Sequence, residues 1–273
     1  MIIGMRGHDF GRMEPHALAA AISGCGYRAV QLAFGKAFAG KPESYLSDDA
    51  LLSLRRTFSG HALAIPVMGC YVSAGDRNAA VRMQEAEKFA RYLRASVKLG
   101  AQCVGTETTH FTAGESEREE AYAGLLEFTR HVAKAAEDCG AIAAVEPVSY
   151  HTMATPELTR RLLDDVSSAH LRVILDPANL LPPGVTSSSV QLDLVRRSLT
   201  LFGDKVCALH IKDGIWNSEN RWENRPLGEG CMDWEAIFPL LRANNDSLCA
   251  LREGVWPGRE AEECRMMQRW AQR

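Results

Sequence analysis

Short apolar, β-rich runs alternate with longer helical patterns eight times along the 273 residues, and that rhythm restricts the fold more than any other property of the chain. The runs span residues 2–6, 29–33, 64–72, 102–106, 142–146, 171–176, 206–211 and 248–253. Between them the spacing of apolar residues predicts helices over 15–25, 48–59, 79–99, 117–139, 156–166, 190–202, 234–243 and 259–272. Strands that alternate with helices pair in parallel, because the helix is the crossover that returns the chain to the same end of the sheet. Eight such units at this length predict a single (β/α)8 TIM barrel, one α/β domain over residues 1–273 with no linker dividing it. An open doubly wound sheet would usually place a Gly-x-Gly-x-x-Gly turn after its first strand, and none follows Arg6.

Local signals agree with this reading. Ser116 with Glu119 forms a capping box for the fourth helix, and Thr155 followed by Pro156 supplies an N-cap and an N1 proline for the fifth. Gly100 and Gly140 close long periodic stretches where a left-handed C-cap is expected, just before the next strand. Charged residues make up 24% and hydrophobic ones 46%, enough to bury a large core and far from a disordered composition. The net charge of -3 exerts no general pull on nucleic acid or anionic lipid, so neither is expected as a partner. No run approaches the roughly 18 apolar residues of a spanning helix, and Met1-Ile-Ile-Gly-Met-Arg is too quickly polar for a signal peptide. A cytoplasmic protein is the expectation. Its eight cysteines include no Cys-x-x-Cys pair, which points away from a disulfide scaffold or a zinc ribbon.

Four strand patterns in the second half of the chain end on a residue that can ligate a metal: Glu146, Asp176, His210 and Glu253. A carboxylate after one strand commonly caps the next helix or pairs with a neighbour such as Arg172 or Arg252. Four in consecutive units are hard to produce by capping, and in a parallel barrel the strand ends converge on one mouth. Three carboxylates and an imidazole suit one divalent ion, with Mn²⁺ the first choice and Co²⁺, Mg²⁺ or Zn²⁺ as alternatives.

Six segments, in their order and spacing, carry a resemblance over nearly the whole chain. They are Val104-Gly-Thr-Glu-Thr108, Val145-Glu-Pro-Val148 with His151-Thr152, Ile174-Leu-Asp-Pro-Ala-Asn-Leu180, Leu209-His-Ile-Lys-Asp213, Arg225-Pro-Leu-Gly-Glu-Gly230 with Asp233-Trp234, and Leu251-Arg-Glu253. With them the chain resembles the xylose isomerase-like TIM barrel superfamily, in particular its sugar phosphate isomerases and ketose 3-epimerases. The resemblance implies that Glu146, Asp176, His210 and Glu253 bind the metal and that Glu146 and Glu253 double as an acid/base pair. It implies a small-molecule sugar substrate, a ketose or keto-sugar, isomerised or epimerised through a metal-stabilised enediolate.

Further residues fall near the same mouth. His151, in the loop after Glu146, is a candidate catalytic base or hydroxyl ligand; His8, Glu107, Asn179, Lys212 and Arg225 are candidate substrate contacts. Arg225 precedes a Gly-x-Gly turn that would bring backbone close to a ligand. Trp216, Trp222 and Trp256 fall in the loops after the seventh and eighth strands, where an indole can stack on a sugar face. Asn179 departs from the resemblance, since many epimerases carry histidine there. Arg252, just before Glu253, is expected to point away from the lumen by strand alternation.

The same site also suits a lyase or dehydratase that eliminates from a keto-sugar, keto-glycoside or inosose. A nuclease related to the AP endonucleases would need more histidines, and a carbohydrate-binding subunit without turnover is the non-enzymatic alternative. No Gly-rich phosphate cradle stands out, so an unphosphorylated sugar is favoured. A homo-oligomer is left open.

Overall fold

A computed structural model describes residues 1–109 and 115–272; the side chain of Ser116 is not among the described ones, so the Ser116–Glu119 capping box lies outside the described residues. The strands are β1 (Ile2–Arg6), β2 (Ala29–Leu32), β3 (Ala64–Gly69), β4 (Cys103–Glu107), β5 (Ala143–Glu146), β6 (Leu171–Leu175), β7 (Val206–Ile211), β8 (Gly214–Trp216), β9 (Trp222–Asn224) and β10 (Cys249–Arg252). All but β8 and β9 pair in parallel around a closed barrel in the order β1-β10-β7-β6-β5-β4-β3-β2. The expected (β/α)8 architecture is thus present, and β8 and β9 are an addition to it: an antiparallel hairpin between β7 and the last barrel strand.

Long helices pack outside: α1 (Pro15–Gly24), α3 (Asp48–Gly60), α4 (Ala79–Leu99), α5 (Glu115–Cys139), α6 (Pro156–Val166), α8 (Ser188–Phe202), α9 (Trp234–Asn244) and α10 (Glu260–Gln272). Two single-turn helices, α2 (Phe34–Ala37) and α7 (Pro177–Leu180), follow β2 and β6 at the mouth. The helix boundaries obey local chemistry. Thr155 Oγ1 accepts the Leu158 amide at 3.2 Å, and Gly100 and Gly140 adopt φ of 79° and 69°, the left-handed conformation their positions anticipate.

Alternation along the strands sorts the core into two layers. The narrow lumen takes Ala29, Val67, Cys103, Ala144, Ile174, Ala208, Cys249 and Leu251. Large side chains such as Phe58, Phe89, Phe128, Phe202 and Phe238 fill the wider space between strands and helices, each contributing about 1.5–3 kcal/mol by leaving water. Arg252 follows the same rule. It leaves the lumen for the helix layer, where its guanidinium is fully buried against Glu263 of α10 at 2.8 and 3.2 Å. Among the described residues no helix is long and apolar enough to cross a membrane.

Candidate metal centre and active site

Parallel register carries the chemistry to one end of the barrel. Glu107 and Glu146 are direct partners across β4 and β5, and His210 sits opposite Leu251, two residues before Glu253. The result is that Glu146, Asp176, His210 and Glu253 each present a ligand atom within 4.8 Å of all the others. His210 Nδ1 lies 3.1 Å from Glu146 Oε2 and 3.3 Å from Glu253 Oε2. Asp176 is wholly buried; its Oδ1 caps α7 through the Asn179 amide at 3.1 Å, which leaves Oδ2 for the site. Neither Asp176 Oδ2 nor His210 Nδ1 has a well-directed hydrogen bond, although both are sealed from water. Buried polar atoms normally find a partner, and three carboxylate groups with one imidazole nitrogen form a donor set that fits a divalent cation.

The field at this cluster follows from its crowding. Burial opposes charge on Asp176 and pushes its carboxyl up to about 6, against the pull of Lys212. Burial opposes the charged form of His210 as well, yet Glu146, Glu253 and Asp176 outweigh it and raise the imidazole to about 9. Glu253 is also disfavoured by burial, but Lys212, Arg6 and His210 prevail and hold it well below the usual carboxylate range. The buried Lys212 ammonium lies 3.3 Å from Asp176 Oδ2 and 3.5 Å from Glu253 Oε1, and it also donates to Asn179 Oδ1. Asn179 turns its other end to Glu146, with Nδ2 donating to Oε1 at 2.6 Å. Two of the expected substrate contacts, Lys212 and Asn179, therefore link three of the four ligands to one another.

An outer ring fixes the inner one. His210 Nε2 donates to Gln31 Oε1 at 2.7 Å, and Gln31 Nε2 donates to the Tyr71 hydroxyl at 3.3 Å. Arg6 holds Glu253 Oε1 at 3.0 Å and Asp9 at 2.8 Å, while Asp9 accepts the Gly254 amide at 2.8 Å and so pins the turn behind Glu253. Sequence reading missed Gln31 and Arg6. A buried amide inside the otherwise apolar run Ala29-Val-Gln-Leu32 was the available signal for the first.

The remaining candidates divide. His151 is buried, with Nδ1 3.4 Å from Thr108 Oγ1 and Nε2 4.0 Å from Glu107 Oε2. Burial and the charges of Glu146 and Glu253 raise Glu107 to about 6. His8 packs edge-on against Tyr71, and burial, then Arg6 and Lys36, lower its imidazole to about 3. Arg225 pairs with the strand just before it: its guanidinium binds Glu223 Oε2 at 3.0 Å and the Asn224 carbonyl at 3.1 Å. The Gly-x-Gly turn after it closes on the protein itself. Asp213 accepts the amides of Gly214 and Gly228 at 2.9 Å, Met232 at 3.2 Å and Gly230 at 3.3 Å. A Cβ at Gly230 would stand 2.0 Å from Asp213 Oδ1, so only glycine allows this cradle.

Beside the ligand cluster opens a cleft of about 560 Å³, whose lining includes Asn179, Lys212, Tyr150, Trp216 and Trp222. Trp256, the third indole anticipated near the mouth, is not among its lining residues.

Residues 19–270 match the model of the xylose isomerase-like TIM barrel family, and the chain belongs to that family. Solved structures share its architecture at low sequence identity. The 3-keto-D-glucoside 4-epimerase YcjR from E. coli, in its apo form, superposes with a TM-score of 0.77 at 17% identity, covering 100% of this chain and 99% of its own. A D-tagatose 3-epimerase-like protein gives 0.79 at 15% identity, covering 100% and 97%. An IOLI protein with a bound zinc atom gives 0.77 at 16% identity, covering 99% and 96%. Comparison with curated protein sequences gives no match.

Proposed function

We propose that the protein is a divalent-metal-dependent isomerase or epimerase of a ketose or keto-sugar, with Glu146, Asp176, His210 and Glu253 as the metal ligands. The convergence of these four groups at one barrel mouth carries the proposal. An ion held there supplies Lewis-acid polarisation of a sugar carbonyl and its neighbouring hydroxyl. Fold relatives described as sugar epimerases, and one with bound zinc, support the same direction.

Proton transfer falls to Glu146 and Glu253, carried by strands that β6 and β7 separate, so that each can address one face of the reacting carbon. Glu253, held between Arg6 at 3.0 Å and Lys212 at 3.5 Å, is the carboxylate placed to begin as the base. Asn179 fixes Oε1 of Glu146, and Oε2 stays beside His210 Nδ1 at 3.1 Å, so the carboxylate is held at the mouth where the substrate would sit. Removal of a proton by one carboxylate and delivery of a different proton by the other inverts the carbon; delivery to the adjacent carbon isomerises the sugar.

The test is solvent deuterium incorporation at the carbon beside the carbonyl, followed by NMR across a panel of ketoses and keto-sugars with added Mn²⁺. Exchange is expected in the wild type and lost in Glu146→Gln and Glu253→Gln. Exchange retained in both variants overturns the assignment. One observation favours a second reading: Glu107, held at about 6 and close to His151, can protonate a leaving oxygen, as β-elimination requires. A dehydrated product from an inosose, or release of the aglycone alcohol from a 3-keto-glycoside, abolished in Glu107→Gln, decides for the lyase.

A further inference from the structure

We infer that the sugar handled at this site is a glycoside, whose second ring occupies the cleft walled by Trp216, Trp222 and Tyr150. This rests on the keto-sugar reading above and extends it to the class of substrate. The cleft shares Asn179 and Lys212 with the ligand cluster, so a sugar held by the ligands has the cleft as the continuation of its path. Its volume of about 560 Å³ lies within the ~300–1,000 Å³ of pockets that take a drug-sized ligand, enough for a second sugar ring.

The walls select a neutral ring. The indoles of Trp216 and Trp222 meet edge-on at 5.2 Å, and both ring N–H groups are already satisfied, by the Val185 carbonyl at 3.0 Å and by Asn224 Oδ1 at 2.9 Å. They therefore offer apolar surface, the surface against which the C–H face of a pyranose packs. The buried cation at the rim is engaged, Lys212 by Asp176 and Glu253. A phosphate would have to compete with those carboxylates, whereas a second sugar ring needs no charge. The wall is also preformed. Trp222 lies directly on the backbone of Gly214, where a Cβ would stand 2.5 Å from its Cε2, so the hairpin holds the indole in place before any sugar arrives.

The experiment compares kcat/KM for a free keto-hexose with that for its phenyl glycoside and for a keto-disaccharide. In Trp222→Ala the ratio of glycoside to free sugar is expected to fall roughly tenfold, and Trp222→Phe should restore most of it. Tyr150→Ala, on a different loop, should move the ratio the same way and guards against a collapsed hairpin. An unchanged ratio in both alanine variants overturns the inference. A phenyl glycoside favoured over the disaccharide would assign the cleft to a flat aglycone instead of a sugar ring, which also overturns it in the form of a second sugar. Should the wild type act on no keto-sugar, the isomerase reading fails separately. Quenching of indole fluorescence by an unreactive disaccharide then decides the cleft: saturable in the wild type and lost in Trp222→Ala upholds it, and its absence refutes it.

Discussion

The amide oxygen of Gln31 stands 2.7 Å from Nε2 of His210 and accepts the proton of that nitrogen in a hydrogen bond, so that Nδ1 is the nitrogen turned toward Glu146 and Glu253. An imidazole has two nitrogens and only one can be the ligand; the choice is made on β2, across the barrel from the residue it serves.

Replacing Gln31 by leucine keeps the volume and removes the acceptor. Affinity for Mn²⁺ or Zn²⁺ is expected to drop by about 10–100-fold with the barrel intact. Isothermal titration alongside circular dichroism measures both, and an unchanged affinity would exclude the orienting role.

Metal binding should register as stability, because the ligand set is assembled only in the folded chain. At a free metal concentration about 100 times Kd, the gain is about 2.7 kcal/mol, visible as a rise in Tm that a chelator reverses. Asp176→Asn is expected to abolish the rise. A Tm indifferent to every divalent ion would argue that the cluster binds none.

Arg252 and Glu263 form an ion pair with no access to water, and Glu263 also accepts the Leu227 amide at 2.9 Å. Glu263→Gln leaves the guanidinium buried and uncompensated, at a cost of about 3–5 kcal/mol in urea denaturation. The double replacement Arg252→Met with Glu263→Leu should recover a large part of it. A loss below about 1 kcal/mol in the single variant would be the value of an exposed pair and would contradict the burial.

His8 sets a pH dependence of definite sign. Its folded imidazole is lowered to about 3 from an ordinary 6.5, so between those values the unfolded chain binds a proton that the folded chain refuses. The stability it contributes is complete above 6.5 and is lost as the pH falls toward 3. Urea midpoints measured across that window should decline, and less steeply in His8→Asn. Equal slopes for the two proteins would place the charge elsewhere.

Much of this site could be read in the chain because β-strands translate sequence into position so directly. Glu146, Asp176, His210 and Glu253 each terminate an apolar run, and a closed parallel barrel leaves such residues nowhere to go except the common mouth. The partners that tune them were not legible. Gln31 and Arg6 meet His210 and Glu253 only through closure of the barrel between β1 and β10, a contact between the two ends of the sequence that no local pattern announces. Arg225 shows the converse. Its place in a motif makes it a candidate sugar contact, but the ion pair it forms with Glu223, two residues away in the hairpin β8–β9, was not legible from that motif.

Asp213 binds the hairpin where it leaves the barrel, at Gly214, and where it returns, at Gly228, Gly230 and Met232. One carboxylate thus fastens both roots of an excursion whose tip builds the cleft wall. Exchanges at the tip, between those roots, are therefore expected to leave Lys212 and His210 in place, so this part of the molecule can vary while the proposed ligands stay fixed. A library confined to the hairpin tip is accordingly the place to look for a changed glycoside preference at the proposed site.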